Sequence, residues 1–419
     1  MEIKEIAKKI DNIGGKLYLV GGAVRDEILN RDIYDEDYCV VGITNKQFEE
    51  IFPEAKLQGK FFSVYSLYGK EFALARKETK LGKGHKEFNI QTNEKITIEE
   101  DLKRRDITVN SIAKDVLTGK IIDPFNGIED LKNGIIKATS EAFIEDPLRV
   151  YRVARFAAML NFKVDDNTIQ MMNKLKDELY SLSSERVFVE FRKALKTNKP
   201  SIFFDILNKA QVLEVHFKEI YDLIGSIQPE KYHPEGDAYT HTMIVVDKST
   251  ELTDDVKIRF SCLVHDLGKG ITPKKMQPHH YGHDINGVKL VEDLCKRLKI
   301  PNIWMKCGKI AAKEHMRAGI FNKMTIGKQV DLITKVDKSL LGLDGMKIVV
   351  MCDKYRNNEF PNDVIFDVLG KKCIKEINGK YIIDRYKIKE EKEIGELIRR
   401  ERIEWIKNNK ENILKNITN

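Results

Sequence analysis

Before Asp130 the apolar residues arrive in short runs rich in β-branched and aromatic side chains: Leu17 to Val20, Tyr38 to Val41, Phe61 to Leu67, Phe72 to Ala75 and Lys120 to Ile122. Turn residues separate them, and runs of that kind predict strands, hence an α/β region built around a sheet. From Asp130 onward the apolar spacing changes to three and four, as in Leu148 to Leu160 and Thr168 to Leu179. The remainder therefore reads as mainly helical. Helix breakers at Asn198 to Pro200, Pro229 to Pro234, Pro278 to Gly282 and Pro361 mark candidate boundaries. The stretch from Tyr386 to Asn419 is dense in Lys, Glu and Arg with Ile at intervals, which predicts an amphipathic helix packing Ile394, Leu397 and Ile403 inward.

Composition narrows the classes open to such a chain. With 419 residues, 42% of them apolar, it can bury two or three ordinary cores, so disorder is not expected. The formal net charge of +7 suits a polyanionic partner without demanding one. No run approaches the length of a membrane-spanning helix, and MEIKEIAKKI is not a secretion signal, so a cytoplasmic protein with no membrane partner is expected. The six cysteines are scattered without a CxxC pair, which points away from disulfides and structural zinc and towards reduced, buried thiols.

Residues 17 to 41 hold the first chemical constellation: a strand, the glycine pair Gly21 and Gly22, a helix start with Arg25 and Asp26, and two carboxylates, Asp35 and Asp37, before a second strand. Glycines let backbone amides approach a triphosphate at a helix N-terminus, and an arginine adds a fixed positive fork. Two carboxylates at period two on a strand project to one side of the sheet. That geometry calls for magnesium, which in a two-metal site with ions about 3.5 to 4 Å apart serves the attacking hydroxyl and the leaving pyrophosphate.

GGAVRD followed by DED resembles the signature of class II CCA-adding enzymes, members of the DNA polymerase β nucleotidyltransferase superfamily. The resemblance continues in order through FALAR (Phe72 to Arg76), DLKRRDITVN (Asp101 to Asn110), DPFNG (Asp123 to Gly127) and EDPLRVYRVARFA (Glu145 to Ala157). It implies that Asp35, Asp37 and Arg105 are catalytic, that Asp35 and Asp37 bind magnesium, and that Gly22, Arg25, Arg105, Arg152 and Arg155 hold the incoming ATP or CTP. Asp146 and Arg149, three apart, would share a helix face. A carboxylate accepts from the amino group of cytosine or adenine while a guanidinium donates to the neighbouring ring nitrogen, so this pair is expected to select C and A over U and G. Arg104, Arg105, Arg149, Arg152 and Arg155, joined largely by apolar spacers, read as a phosphate cradle.

Histidine supplies the second constellation. Seven of the nine lie between His233 and His315. His241, His265 with Asp266 in HDLGKG, His283 and His315 follow one another as in helical HD metal sites, and imidazoles with a carboxylate suit nickel, manganese, cobalt or zinc. The segment resembles the HD phosphohydrolase domain appended to CCA-adding enzymes of the multifunctional bacterial kind, which implies phosphatase, 2'-nucleotidase and 2',3'-cyclic phosphodiesterase activities. Asp337 stands where such domains place a distal carboxylate ligand, and His279 and His280 are candidates either for substrate phosphate or for capping a loop.

The expected fold class is α+β: a polymerase β-like nucleotidyltransferase head, a mixed sheet with helices, over residues 1–138; a helical neck selecting the base over 139–200; a helical body over 201–345 with the HD domain at about 238–340; and a helical tail over 346–419. The expected partners are tRNA, CTP and ATP, and the chain would act as a monomer or homodimer. The expected activity is template-independent addition and repair of the tRNA 3'-terminal CCA, with release of pyrophosphate. Two rivals stay open: a bacterial poly(A) polymerase, which shares the head and neck motifs, and an HD phosphohydrolase with a non-catalytic RNA-binding head. The glycine- and lysine-rich stretch from Lys80 to Phe88 is expected to form a loop over the first site.

Overall fold

The structure, a computed structural model, describes the chain except for residues 34, 59–63, 81–87, 92–93, 388–390 and 419. Two compact units emerge, one made of Met1–Ser183 and Ile202–Val212, the other of Ser184–Ser201 and Leu213–Asn419.

The first unit contains nine described strands from its N-terminal part: β1 (Lys16–Val20), β2 (Asp37–Val41), β3 (Lys56–Gln58), β4 (Val64–Leu67), β5 (Lys70–Leu74), β6 (Lys77–Lys80), β7 (Phe88–Gln91), β8 (Ala113–Asp115) and β9 (Ile121–Ile122). Seven form one sheet in the order β3-β4-β5-β2-β1-β8-β9, while β6 and β7 pair as a separate ribbon. The sheet is mixed, because β2 and β5 run parallel and its other pairings are antiparallel. Residues 81–87, the middle of the expected loop over the site, lie outside the described residues.

Strand alternation sorts the sheet's side chains onto two cores. Leu17, Tyr38, Val40, Phe72 and Leu74 pack with Ile6, Ile10, Phe48 and Phe52 on one face. Tyr18, Val20 and Cys39 pack with Ile98 and Leu102 on the other. Asp37 has the parity of Cys39 and so belongs to the face covered by the helix Ile98–Lys103, whose start is fixed by a capping box between Thr97 and Glu100. The helix Arg149–Leu160 follows, with Val150, Tyr151, Val153, Ala154 and Ala157 all fully buried.

The second unit is helical. Its main apolar core draws on the helices Ala238–Leu252, Val256–Val264, Asn302–Gly319, Ile326–Asp337, Gly342–Asp353, Phe366–Glu376 and Glu391–Thr418. The last is the expected amphipathic helix, but Ile406 and Ile413 are the apolar residues it buries, with Ile403 packed alongside and Ile394 and Leu397 half-buried. All six cysteines are buried and free. Among the described residues no helix is long and apolar enough to cross a membrane.

Candidate functional site

Strand β1 runs straight into the glycine pair, and its register sets Val20 opposite Asp37. Gly21 has φ +71°, a backbone favouring glycine, and a Cβ there would lie 3.0 Å from Arg105 Nη1. The glycines thus form a floor beneath a guanidinium. The ladder starts at Asp37, so Asp35 precedes the strand and the period-two argument for the pair does not apply as expected. Electrostatics still link them: partial burial and then repulsion from Asp35 raise the Asp37 carboxyl above its ordinary pKa, against the pull of Arg105. Carboxylate oxygens that repel each other at the start of a central strand are suited to a hard divalent cation such as magnesium.

Arginines from distant parts of the chain converge beside this floor. The guanidinium carbons of Arg25, Arg152 and Arg155 lie 5.5, 5.6 and 3.8 Å from the centre of the Phe156 ring. Arg25 and Arg152 of this fan, and Arg104 and Arg105 nearby, are held by acids. Arg25 donates through Nε and Nη2 to the two oxygens of Asp26 (2.9 and 2.8 Å) and through Nη1 to Asn110 Oδ1 (2.6 Å). Arg104 and Arg105 pair with Asp101 at 2.6 and 3.2 Å, and Arg152 pairs with Asp106 at 2.7 Å. Asp101 and Asp106 are buried, which opposes ionisation, yet the arginines around them hold both carboxyls below their ordinary value. The buried Nε of Arg105 has no hydrogen-bond partner among the described residues.

The expected base-reading pair is placed differently. Asp146 is not on the helix: its backbone is extended, its Oδ1 accepts from the Leu148 amide at 2.9 Å, and the helix begins at Arg149. Leu148 follows Pro147, and a residue preceding proline is pushed out of the helical region. Arg149 donates to the carbonyls of Ala142 and Arg104, both at 2.6 Å, and so ties the segment before its helix to the end of the DLKRRD motif.

In the second unit the histidines gather around Asp266. Three overlapping ligand groups occur among the described residues: His241, His265, Asp266 and Asp353; Asp266, His283 and His315; and His233, Glu235 and His241. Oδ2 of Asp266 lies 3.2 Å from His265 Nε2 and 3.8 Å from His241 Nε2; Oδ1 lies 3.3 Å from His283 Nε2 and 3.2 Å from His315 Nε2. Every imidazole is aimed by a bond at its far nitrogen, which fixes the tautomer that points Nε2 inward. His265 Nδ1 donates to Cys262 O (2.7 Å), His283 Nδ1 to His280 O (2.7 Å), His315 Nδ1 to Ala311 O (3.0 Å) and His241 Nδ1 to Glu235 Oε1 (2.7 Å). Gly268 makes the assembly possible, since a Cβ there would fall 2.0 Å from the carbonyl oxygen of His283.

The inward atoms are what a metal needs. Nε2 of His265, His283 and His315 and both oxygens of Asp266 are buried and make no aligned hydrogen bond among the described residues. Buried polar atoms are rarely left so, and an ion is one standard remedy. Burial disfavours a charged imidazole, but Asp266 foremost, helped by Asp353, raises His265 to about 10. A metal entering here therefore displaces a proton.

Asp353, from the end of the helix Gly342–Asp353, takes the place expected for Asp337, with Oδ1 3.1 Å from His241 Nε2. The helix ending at Asp337 does not pack closely on the two helices that carry His241 and His265, whereas Gly342–Asp353 packs on both. Asp337 itself is exposed. His280 is a loop pin, bonded to Thr272 Oγ1 and Ile227 O, both at 2.9 Å, while exposed His279 stacks on Tyr281. Asp353 and Glu235 are the residues that sequence reasoning missed; for Glu235 only its place shortly before His241 hinted at it.

Residues 17–137 match the family profile of the poly A polymerase head domain, 161–223 that described as "Probable RNA and SrmB- binding site of polymerase A", and 238–338 the HD domain. The fold is shared with CCA-adding enzymes. A Thermotoga maritima CCA-adding enzyme solved with tRNA superposes with a TM-score of 0.65 at 17% identity, over 100% of this chain and 96% of that one. A CCA-adding enzyme complexed with ATP gives 0.64 at 19% identity, over 97% and 90% of the two chains. A tRNA nucleotidyltransferase solved with a primer tRNA and an ATP analogue gives 0.56 at 23% identity, over 83% and 94%.

Proposed function

We propose that this chain adds the 3'-terminal CCA to tRNA from CTP and ATP, and that its HD domain hydrolyses phosphoesters. The observation that carries the first part is the convergence of Arg25, Arg152 and Arg155 on Phe156, beside a glycine floor capped by Arg105 and edged by Asp37. A triphosphate fits such a fan because guanidinium forks bind phosphate oxygens bidentately. Gly22 lets it approach the backbone, and Arg105, with an unshared Nε, completes the grip. Asp35 and Asp37 hold magnesium in this reading. The ion supplies electrostatic stabilisation of the attacking 3'-oxygen and the departing pyrophosphate. The bond formed is between the RNA 3'-oxygen and the α-phosphorus; the bond broken links the α-phosphorus to the bridging oxygen of pyrophosphate.

Asp146 and Arg149 remain our choice for reading the base. Arg149 positions the segment by its two carbonyl bonds, and the carboxylate of Asp146, half-buried just ahead of the helix, accepts from the amino group of C or A. In functional terms we divide the chain into head (1–138), neck (139–200), body (201–345) and tail (346–419). Recognition of tRNA rests on duplex shape and phosphates, so affinity falls as salt rises.

In the HD domain, His241, His265, Asp266 and Asp353 hold one divalent transition metal, and Asp266, His283 and His315 hold a second through the other carboxylate oxygen. Nickel, manganese, cobalt and zinc suit these donors, and such an ion activates water for attack on a phosphoester. Nucleoside 2'-phosphates and 2',3'-cyclic phosphates are the substrates to try first.

The test is to supply magnesium, a tRNA lacking its last three nucleotides, and each nucleoside triphosphate alone or CTP with ATP, and to sequence the 3' ends. Growth by CC with CTP and by CCA with both is expected. An ATP homopolymer would move the reading to poly(A) polymerase, and no growth would leave the HD domain as the main activity.

A further inference from the structure

Gln228 is buried, with 5% of its surface exposed, and belongs to no ligand group. Its Oε1 accepts from Lys269 Nζ at 2.6 Å. An ammonium can only donate, so the amide oxygen must face it and the amide nitrogen must point away. That Nε2 is buried and has no hydrogen-bond partner among the described residues. Lys269 is 6% exposed, and its Nζ lies 2.5 Å from Oδ2 of Asp266, the carboxylate shared by two of the three ligand groups. A line of contact therefore runs from the metal carboxylate through a buried cation to an amide with two unused N–H groups.

The placement of Gln228 is not accidental slack in a loop. On one side the Ile227 amide donates to Gln277 Oε1 at 3.0 Å and the Ile227 carbonyl accepts from His280 Nε2 at 2.9 Å. Ser226 Oγ donates to the Lys269 carbonyl at 2.9 Å. The loop bearing Gln228 is thus pinned to the segments carrying Asp266 and His283. A fixed, buried donor with nothing to bond awaits an acceptor. Beside a buried ammonium and a metal cluster, that acceptor is an anionic oxygen.

Building on the phosphohydrolase reading of the HD domain, we propose that Gln228 Nε2 binds a non-bridging phosphoryl oxygen of the substrate, with Lys269 supplying the adjacent positive charge. The site is thereby specified for a phosphoryl group carrying free anionic oxygens, a fit that the metal ligands alone do not impose.

The test titrates inorganic phosphate into the full, metal-loaded chain by calorimetry and measures KM and kcat for a nucleoside 2'-phosphate alongside metal content. Gln228→Leu keeps the bulk and removes the donor; it should weaken phosphate binding and raise KM about tenfold, the effect of losing one charge-assisted hydrogen bond, with metal content unchanged. Gln228→Glu, nearly isosteric and able to keep its bond to Lys269, should weaken phosphate at least as much, and it decides the matter if the leucine variant fails to fold. Unchanged phosphate affinity in either folded variant, or loss of metal in step with loss of phosphate, overturns the proposal. Wild-type chain that loads metal but neither binds phosphate nor cleaves any phosphoester overturns the phosphohydrolase reading itself, and this inference with it.

Discussion

The arginines at the first site are paired with acids, whereas three imidazoles of the HD domain, His265, His283 and His315, have inward nitrogens with no aligned hydrogen bond among the described residues. Arg25 leans on Asp26, Arg104 and Arg105 on Asp101, and Arg152 on Asp106. A site built that way is stable when empty, because buried charge is compensated within the protein. Under the proposed function it can exchange one triphosphate for another at small cost in structure, as successive use of CTP and ATP requires. The HD cluster is preformed yet incomplete: its tautomers are set by backbone carbonyls and Glu235, while Nε2 of His265, His283 and His315 and both oxygens of Asp266 make no aligned hydrogen bond among the described residues. Under the proposed function such a site holds an ion as part of its fold.

The largest effect that would break this comparison concerns independence. Asp35→Ala and Asp37→Ala are each expected to reduce CCA addition about a thousandfold, the scale of losing a metal's charge stabilisation, while phosphoester cleavage stays at the wild-type rate. Asp266→Ala should do the reverse, removing bound transition metal and phosphoesterase activity and leaving tailing intact. Both activities assayed on one preparation of each variant give the answer. If Asp266→Ala also stopped tailing, the two sites would not be separate machines.

A smaller contrast sharpens the metal centre. Asp353→Ala should lower affinity for the divalent ion by at least about a hundredfold, on the scale seen when a ligand or its support is removed, whereas Asp337→Ala should leave it unchanged. Metal retained after dialysis against a chelator measures both. Equal losses would return Asp337 to the site.

That pair also shows what the chain discloses in one dimension. The mixed-sheet head and helical remainder are legible because strand runs and helical spacing are local signals, and GGAVRD, DLKRRD and HDLGKG each place several functional groups within a turn or two of chain. Asp353 and Asp337 both end helices and look alike in sequence; only the packing of Gly342–Asp353 against Ala238–Leu252 and Val256–Val264 separates them. Asp101 and Asp106 stand inside a motif that was legible, yet spacing reveals which charges are neighbours and not which are buried. Asp146 looks helical by its distance from Arg149, and the proline between them decides otherwise. Gln228 has no sequence signal, since its interest lies wholly in an unshared N–H.

Next in size is the stability of the head's pairing. Asp106→Ala removes the acid beneath Arg152 and leaves a cation without its buried partner. Breaking such a pair costs about 3 to 5 kcal/mol when both groups are deep, but Arg152 is 34% exposed, so roughly 2 kcal/mol is expected after solvent screening. Because the arginines hold the Asp106 carboxyl below its unfolded value, that contribution is present above the unfolded pKa near 4 and fades as the pH falls through the folded one. Urea titrations followed by amide exchange in the head would show it; a loss confined to nucleotide affinity, with stability unchanged, would mean the arginines do not need the acid when empty.

The smallest effect lies in the second unit, at a histidine that belongs to no ligand group. His216, on the helix Leu213–Tyr221, is buried, and burial, with the nearby Arg297 guanidinium, lowers its pKa to about 4. Its unfolded value is near 6.5, so the unfolded chain binds a proton that the folded chain refuses over that interval. Stability from this group is therefore complete above 6.5 and is lost as the pH falls towards 4, by roughly 1 to 2 kcal/mol between pH 7 and pH 5. His216→Gln keeps a neutral polar side chain and should remove that slope, leaving only what other groups contribute. Both tryptophans, Trp304 and Trp405, belong to the second unit, so their fluorescence during urea unfolding reports on it alone. Matching pH slopes for wild type and variant would show that His216 is charged when folded, and that burial in this unit is forgiving of histidine charge outside the metal cluster as well as within it.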